Sequence, residues 1–274
     1  VTDDPSGPEQ KRLWKRLRPF VLRRTKRLVA TELPEKIIQV SYCELTDAQK
    51  KIYSELLGAA RRQVSELAGA KDQGKRRIAV LTALLRLRQA CCDLRLLGDS
   101  LGEKDDSSAK LDMLHEILGE AIDGGHRVLV FSQFVSMLKL ARESLTEAGI
   151  DSCYLDGSTR DRGAVVDEFQ NGKAPVFLIS LKAGGTGLNL TAADTVVHFD
   201  PWWNPAVEDQ ATDRAHRIGQ KNVVTAYKLV ARDTVEEKIL ALQSRKRQLS
   251  DLSVESEQPL MEGLQMSELE ELLG

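Results

Sequence analysis

The fold of this protein is decided by residues 176–220, which read VFLISLKAGGTGLNLTAADTVVHFDPWWNPAVEDQATDRAHRIGQ. Residues 176–179 are apolar without alternation, a pattern typical of a strand that is covered on both faces in a parallel sheet. A glycine-rich turn follows, then a second strand at 195–200, a turn rich in tryptophan and proline, and a helix that carries arginines. We expect the functional loops of such a sheet to lie at one edge.

Two features of this stretch indicate phosphate recognition. Gly184, Gly185 and Gly187 follow the first strand, where backbone takes positive φ or approaches a ligand closely. Arg214 and Arg217 are three residues apart and would project from one face of the predicted helix. A guanidinium group is always charged and can bind phosphate through two parallel hydrogen bonds.

Strands and helices alternate along the remaining chain. Further strands are predicted at 36–45, 126–134, 152–157 and 223–231, and helices at 46–70, 76–97, 110–121, 135–147, 160–170 and 234–249. Alternation at these lengths predicts a parallel sheet with right-handed crossovers. The fold class is therefore α/β, a three-layer parallel sheet with a helical insertion at about 46–100.

Composition is that of an ordinary soluble protein, with 29% charged and 42% hydrophobic residues. Apolar runs stay short of the ~18 residues that a membrane span needs, and the first ten residues do not resemble a signal peptide. The four cysteines show no CxxC spacing and form no metal framework with the four histidines. We expect an intracellular protein without a metal site, in the cytoplasm or nucleoid of a bacterium or the nucleus of a eukaryote.

Charge is distributed unevenly, although the net charge is only −2. Residues 11–27 contain nine basic residues and no acid, whereas residues 251–274 contain seven acids and no lysine or arginine. We divide the chain into a lead-in (1–10), a basic segment (11–35), a compact lobe (36–250) and an acidic tail (251–274). The basic segment suits either a phosphate backbone or a solvated helix face, and the tail could bind that segment as an autoinhibitor.

Three motifs give the chain a family resemblance. They are SLKAGGTGLNL at 180–190, DPWWNP at 200–205 and DQATDRAHRIGQ at 209–220. In this order and spacing they resemble the second RecA-like lobe of superfamily 2 helicases, specifically of the SWI/SNF-type DNA translocases. LRPFVLRR at 17–24 is similar to the segment that joins the two lobes in that family, whereas QACCDL at 89–94 departs from the family's usual Cys-Asn-His-Pro turn.

The resemblance implies a nucleotide site between two lobes. In this family's QxxxRxxRxGQ motif both arginines point into the cleft, so Arg214 and Arg217 would be catalytic. The residues implied to face the nucleotide are Gly185, Gly187, Gln210, Arg214 and Arg217. The alternative for the arginines is a surface salt-bridge network with the neighbouring aspartates.

A second set of residues is expected to contact DNA. Hydroxyl and amide groups at the ends of parallel strands suit hydrogen bonding to backbone phosphates, and the resemblance adds the glycine loop, one tryptophan and two arginines of the basic segment. The set is Ser132, Gln133, Ser158, Lys182, Gly184, Thr186, Asn189, Trp203, Arg23 and Arg24. Ser158 and its neighbours could equally cap a helix. Of the adjacent tryptophans, we expect Trp202 to pack inward and Trp203 to face the DNA.

Two motifs of an ATPase do not occur in the sequence. The phosphate-binding GxxxxGK[ST] motif is missing, and so is an Asp-Glu pair after a buried strand, which would hold Mg²⁺. Both belong to the first lobe of such motors. ATP and Mg²⁺ would therefore be held mainly by a first lobe of the same polypeptide, and we expect the isolated chain to be inactive.

The sequence thus predicts the second lobe of a DNA-dependent ATPase that moves along double-stranded DNA and remodels DNA-protein complexes, with a DNA-bound protein as a further partner. A DNA-binding or partner-docking module without motor activity is one alternative. A lobe of an RNA helicase is the other.

Overall fold

The computed structural model of the chain describes residues 30, 32–67, 73–98, 108–184, 187–250 and 265–274. Four predicted site residues lie outside the described residues: Arg23, Arg24, Gly185 and Thr186. The predicted lead-in and almost all of the basic segment lie outside them as well.

Within the described residues, six strands form one parallel sheet. They are β1 (Lys36–Cys43), β2 (Val128–Ser132), β3 (Ser152–Leu155), β4 (Val176–Ser180), β5 (Thr195–His198) and β6 (Val224–Ala231). Their order across the sheet is β1-β6-β5-β2-β4-β3, and each neighbouring pair is parallel. Every residue of β2, β4 and β5 is buried, which is why these strands are apolar at successive positions.

Helices cover both faces of this sheet. The longer ones are α1 (Asp47–Leu67), α2 (Gln73–Cys92), α3 (Ala109–Asp123), α4 (Val135–Glu147), α5 (Arg162–Gln170), α6 (Pro205–Thr212), α7 (Val235–Ser250) and α8 (Met266–Leu273). On one face, α3 and α4 pack against Val128 and Val130. On the other, α5 and α6 pack against Leu129 and Phe131. Successive strand residues point to opposite faces, and the predicted three-layer α/β fold is confirmed.

The helical insertion is a hairpin of α1 and α2, here called the protrusion. The hydroxyl of Thr46 accepts a hydrogen bond from the Gln49 N–H at 3.2 Å, so it caps α1. Leu84 and Leu87 of α2 join Ile239 of α7 in a core separate from the two sheet-facing ones. The protrusion is therefore anchored to the sheet through α7.

The last residues of the acidic tail form α8, which packs on the protrusion. Leu269, Leu272 and Leu273 are buried in the protrusion core. Arg61 Nε donates to the carbonyl of Leu273 at 2.8 Å, and Lys238 Nζ donates to that of Leu272 at 3.2 Å. Cations stabilise the carbonyl end of a helix, which carries unsatisfied acceptors and partial negative charge.

One predicted element is wrong in its extent. The helix expected to carry both arginines ends at Thr212, and residues 213–219 form a series of turns. Arg214 N–H donates to the carbonyl of Ala211 at 3.1 Å, and Arg217 N–H donates to that of Ala215 at 3.1 Å. These bonds span three and two residues, whereas the bonds of an α-helix span four. The two arginines therefore do not share a helical face.

No helix among the described residues combines the length and the apolar character that crossing a membrane requires.

The docking of α8 can be tested by shortening one of its leucines. We expect Leu272→Ala to lower the free energy of unfolding by about 2–4 kcal/mol, because Leu272 is buried and its removal leaves a cavity. Ser267→Ala, on the exposed side of the same helix, should change it by no more than about 0.5 kcal/mol. Urea denaturation of both variants measures the difference, and equal values would contradict the docking.

Candidate functional site

The carboxyl ends of the central strands bring several predicted residues to one edge of the sheet. Ser132 ends β2, Ser158 follows β3, and Lys182 follows β4 on a single helical turn, Leu181–Gly184. Since the strands are parallel, these positions lie along the same edge. Lys182 and Ser158 are exposed there.

Ser132 is a correction to the sequence-based expectation. Its side chain is fully buried, its hydroxyl donates to the Asp200 carboxylate, and its oxygen accepts the Phe134 N–H at 3.0 Å. A hydroxyl enclosed in this way cannot reach a DNA phosphate, and its predicted contact is wrong. Gln133 is half-buried, with its backbone N–H 3.2 Å from the Asp200 carboxylate.

Ser158 belongs to a tight turn around Asp156. The Asp156 carboxylate accepts the Ser158 hydroxyl at 2.6 Å and the Ser158 N–H at 2.8 Å. These hydrogen bonds hold the pKa of Asp156 below its usual value, the Ser158 hydroxyl being the main cause. Asp161 rather than Ser158 caps α5, by accepting the Ala164 N–H at 2.9 Å. Ser158 therefore stays at the exposed edge.

The glycine-rich segment connects this edge to the arginines. Ser180 Oγ accepts the Ala183 N–H at 3.3 Å and so starts the helical turn that Gly184 ends. Gly187 has φ of +41° and is exposed, as is Asn189. Such a φ is costly for residues with a Cβ.

Trp203 is a second correction. It is only 6% exposed and packs in the protrusion core, with the Arg88 guanidinium 5.2 Å from its ring centroid. Trp202 is half-buried. Trp202 packs in part against the protrusion core and against a sheet core, as expected, whereas Trp203 also faces inward. The core that receives Trp203 is built by α1 and α2, more than a hundred residues earlier in the chain.

Arg214 and Arg217 lie in a turn that is fixed from three sides. The carbonyl of Arg214 accepts the Leu190 N–H at 3.0 Å, His216 Nε2 lies 2.7 Å from the carbonyl of Pro34, and Gln220 Nε2 donates to the carbonyl of Ala193 at 2.7 Å. Arg214 is half-buried and Arg217 is exposed.

The electrostatics of this turn favour an anion. Burial lowers the pKa of Arg214, and the positive charge of Arg217 lowers it further. The negative charge of Asp213 opposes this lowering of the pKa. A bound phosphate would stabilise both guanidinium groups. Gln210 is exposed on α6, one helical turn before Arg214.

The position of the arginine turn also differs from the expectation that all functional loops share one edge. Pro34 precedes β1 and Ala193 precedes β5, so the turn lies beside the amino ends of these strands. Lys36, the first residue of β1, is 3.4 Å from Asp213. Leu190, six residues after the helical turn that Gly184 ends, lies against the arginine turn through its N–H bond to the carbonyl of Arg214.

The sequence analysis missed a set of buried charges around residues 199–203, the turn that follows β5. Arg88, Lys110, Glu208, Lys228 and Glu236 are each at most 4% exposed. Lys110 pairs with Glu236 at 2.6 Å, and Lys228 pairs with Glu208. The available signal was a charged residue on the apolar side of a helix, as at Arg88 between Leu84 and Cys91.

Comparison with known proteins places the chain in a family. The helicase conserved C-terminal domain matches residues 109–219, and the SNF2-related domain matches residues 6–96. The C-terminal domain of the Sulfolobus solfataricus SWI2/SNF2 ATPase superposes with a TM-score of 0.68 at 32% identity, over 87% of this chain and 98% of that one. The chain belongs to the SWI2/SNF2 ATPase family. It corresponds to the C-terminal RecA-like lobe.

Longer proteins of the SWI2/SNF2 family contain this lobe as one part. The Sulfolobus solfataricus ATPase core in complex with double-stranded DNA matches 96% of this chain and 56% of its own length, at 35% identity and a TM-score of 0.71. A putative ATP-dependent helicase/translocase, YwqA of Bacillus subtilis, is 38% identical over 93% of this chain. The chain spans about a quarter of the length of the curated relatives it matches.

His198, at the end of β5, should make this lobe less stable in acid. Its ring is buried, Nε2 lies 2.8 Å from Thr212 Oγ1, and burial lowers its pKa from the ordinary value of 6.5 to about 4. Between these values the unfolded chain binds a proton that the folded lobe does not, so stability falls as pH falls through this window.

We expect wild type to lose on the order of 3 kcal/mol more unfolding free energy than His198→Gln between about pH 7 and pH 4. Glutamine can keep the bond to Thr212 without titrating. Chemical denaturation at each pH measures the loss, and parallel pH profiles for the two proteins would contradict the assignment.

Proposed function

We propose that this lobe completes an ATP-hydrolysis site by supplying Arg214 and Arg217 to ATP that is bound mainly by a first lobe of the same polypeptide, together with Mg²⁺. The observation that carries this proposal is the turn at 213–219, which hydrogen bonds fix from three sides and which carries Arg214 half-buried and Arg217 exposed. Charge develops on the γ-phosphoryl oxygens during transfer, and arginines placed there stabilise it.

The roles of the neighbouring residues follow from their positions. Gln220 and His216 position the arginine turn through backbone carbonyls, so they act through the arginines and not on the nucleotide. Gly187 leaves its exposed backbone open to a phosphate, and we assign the same role to Gly185. Gln210 is placed to contact the nucleotide from α6. The lobe alone would not hydrolyse ATP, since the phosphate-binding GxxxxGK[ST] motif would be supplied by the first lobe.

We further propose that the carboxyl edge of the sheet holds the backbone of double-stranded DNA. Lys182 and Ser158 are exposed at that edge, and Gln133 lies there half-buried, with its amide nitrogen enclosed. We assign Asn189, which is exposed just before Leu190, to the same DNA surface. We include Gly184 and Thr186 of the connecting loop and Arg23 and Arg24 of the basic segment in this surface. Contacts of this kind read no bases, as movement along any sequence requires.

The two regions together make a motor. Closure of two lobes on ATP and their reopening after hydrolysis would shift the DNA contacts along the backbone, without strand separation. Within this lobe, Leu190 contacts the arginine turn only six residues after Gly184, which we assign to the DNA edge. The proposed activity is therefore DNA-dependent ATP hydrolysis coupled to translocation and to remodelling of DNA-bound proteins.

Arg217→Ala tests the arginine assignment in the parent protein that carries both lobes. We expect DNA-stimulated ATP turnover to fall by about 10³-fold or more, with ATP binding largely kept, because the side chain acts on charge that develops in the transition state. Steady-state ATPase assays with and without duplex DNA, and nucleotide binding by fluorescence, measure both quantities.

Arg62→Ala is the matched control, since Arg62 is an exposed arginine on α1, away from the proposed site. Turnover that survives Arg217→Ala would remove this residue from catalysis. A wild-type protein that duplex DNA does not stimulate would favour a docking module instead. Stimulation by duplex RNA in preference to DNA would favour the RNA helicase alternative.

Lys182→Ala tests the DNA edge. We expect the variant to bind duplex DNA of every sequence more weakly. In a plot of log affinity against log salt concentration, the magnitude of the slope should fall by about 1. Lys173→Ala should leave both unchanged, because Lys173 is exposed before β4, at the opposite end of the same strand. Fluorescence anisotropy at several salt concentrations gives the slope, and identical slopes for the two variants would count against a DNA contact at this edge.

A further inference from the structure

A buried arginine connects the protrusion to the carboxyl edge of the sheet. Arg88 of α2 and Asp200, two residues after β5, form an ion pair at 3.2 Å with side chains that are 1% and 0% exposed. The two residues are 112 positions apart in the chain. Burying both charges is costly unless each is fully partnered, so the partners of this pair show what the pair holds in place.

The Asp200 carboxylate holds the loop that follows β2. One oxygen accepts the Ser132 hydroxyl and the Gln133 N–H, while the other accepts the Arg88 guanidinium. Burial raises the pKa of Asp200, and the positive charge of Arg88 opposes that effect. Without Arg88, the buried carboxylate would lose its cationic partner and favour the protonated form.

Arg88 also holds the turn that follows β5. Its Nη2 donates to the carbonyl of Pro201 at 2.6 Å, and its guanidinium lies 5.2 Å from the ring centroid of Trp203 and 5.7 Å from that of Phe134. One side chain of the protrusion therefore contacts residues of both edge loops, at 132–134 and at 200–203.

We propose that Arg88 is a positioning residue for the DNA-facing edge, which holds the loops at 132–134 and 200–203 in a single arrangement and so couples DNA binding to ATP turnover. The inference rests on the proposed function, because it assumes that this edge meets DNA. Arg88 itself is enclosed and touches neither DNA nor nucleotide. It acts through Asp200, Gln133 and the Trp203 turn.

The test compares Arg88→Met with Leu145→Ala in the parent protein. Leu145 is fully buried in the last turn of α4, and its carbonyl accepts the Ile150 N–H just before β3, so it lies towards the amino ends of the strands, away from the edge loops. For Arg88→Met we expect the duplex-DNA concentration that gives half-maximal ATPase stimulation to rise about tenfold, and KM for ATP to stay within about twofold. Leu145→Ala should leave both constants at their wild-type values at a temperature where each variant is folded.

A second pair of variants separates positioning from stability. Arg88→Met combined with Asp200→Asn removes both buried charges, while the amide oxygen can still accept from Ser132 and Gln133, so that no unpaired buried charge remains. We expect the unfolding midpoint of the double variant to recover towards wild type while the DNA dependence stays impaired. Arg88→Lys, which keeps the charge but not the planar fork, should be impaired to an intermediate degree.

Each outcome bears on a different proposal. Recovery of DNA stimulation in step with the unfolding midpoint would overturn the positioning role, and so would normal DNA dependence in a folded Arg88→Met protein. Absence of DNA stimulation in the wild type would overturn the proposed function instead, independently of Arg88.

Discussion

The turn after β5 depends on charged and amide side chains that reach its backbone from four helices. Lys110 of α3 donates to the carbonyl of Phe199 at 2.9 Å and Arg88 of α2 to that of Pro201 at 2.6 Å. Glu208 of α6 accepts the Trp202 N–H at 2.6 Å, and Gln243 of α7 donates to the Trp202 carbonyl. A turn covered by helices cannot hydrogen-bond to water, so its polar groups must find partners within the protein. This requirement brings the protrusion, the sheet and α7 together at one point.

Because buried polar groups need partners, some strand-end residues are enclosed in the protein interior, and others remain exposed to a ligand. Ser132, which ends β2, and Trp203, which follows β5, are buried and have their partners inside the protein. Lys182 and Ser158, at equivalent strand ends, stay exposed. At the other end of the sheet, Gln220 donates to three backbone carbonyls and so supports the arginine turn. Rigid support beneath an exposed charged group is what a phosphate site needs, because it preserves the geometry as the ligand changes.

Most of the fold could be predicted from the sequence, because strands buried on both faces and amphipathic helices have distinct periods. β4 covers the apolar run that predicts it, and the protrusion is a helical hairpin as expected. The candidate site was predicted less completely. The predicted helix extends past Thr212, where the observed one ends, because the composition of residues 213–219 is compatible with a helix. The turn forms instead through hydrogen bonds to distant residues such as Pro34 and Leu190. Trp203 was assigned to the surface because the core that receives it belongs to α1 and α2.

The sequence by itself determined the family, the α/β class, and the residue types that a phosphate site requires, since these depend on local pattern and motif spacing. Only the tertiary structure decided which polar residues are available to a ligand. Ser132 and Ser158 look alike in sequence, as hydroxyls after parallel strands, yet one is enclosed against Asp200 and the other is exposed beside Asp156. The difference arises because burial and pairing depend on chain segments far apart in sequence, such as Arg88 and Asp200, and no local pattern specifies which of them meet.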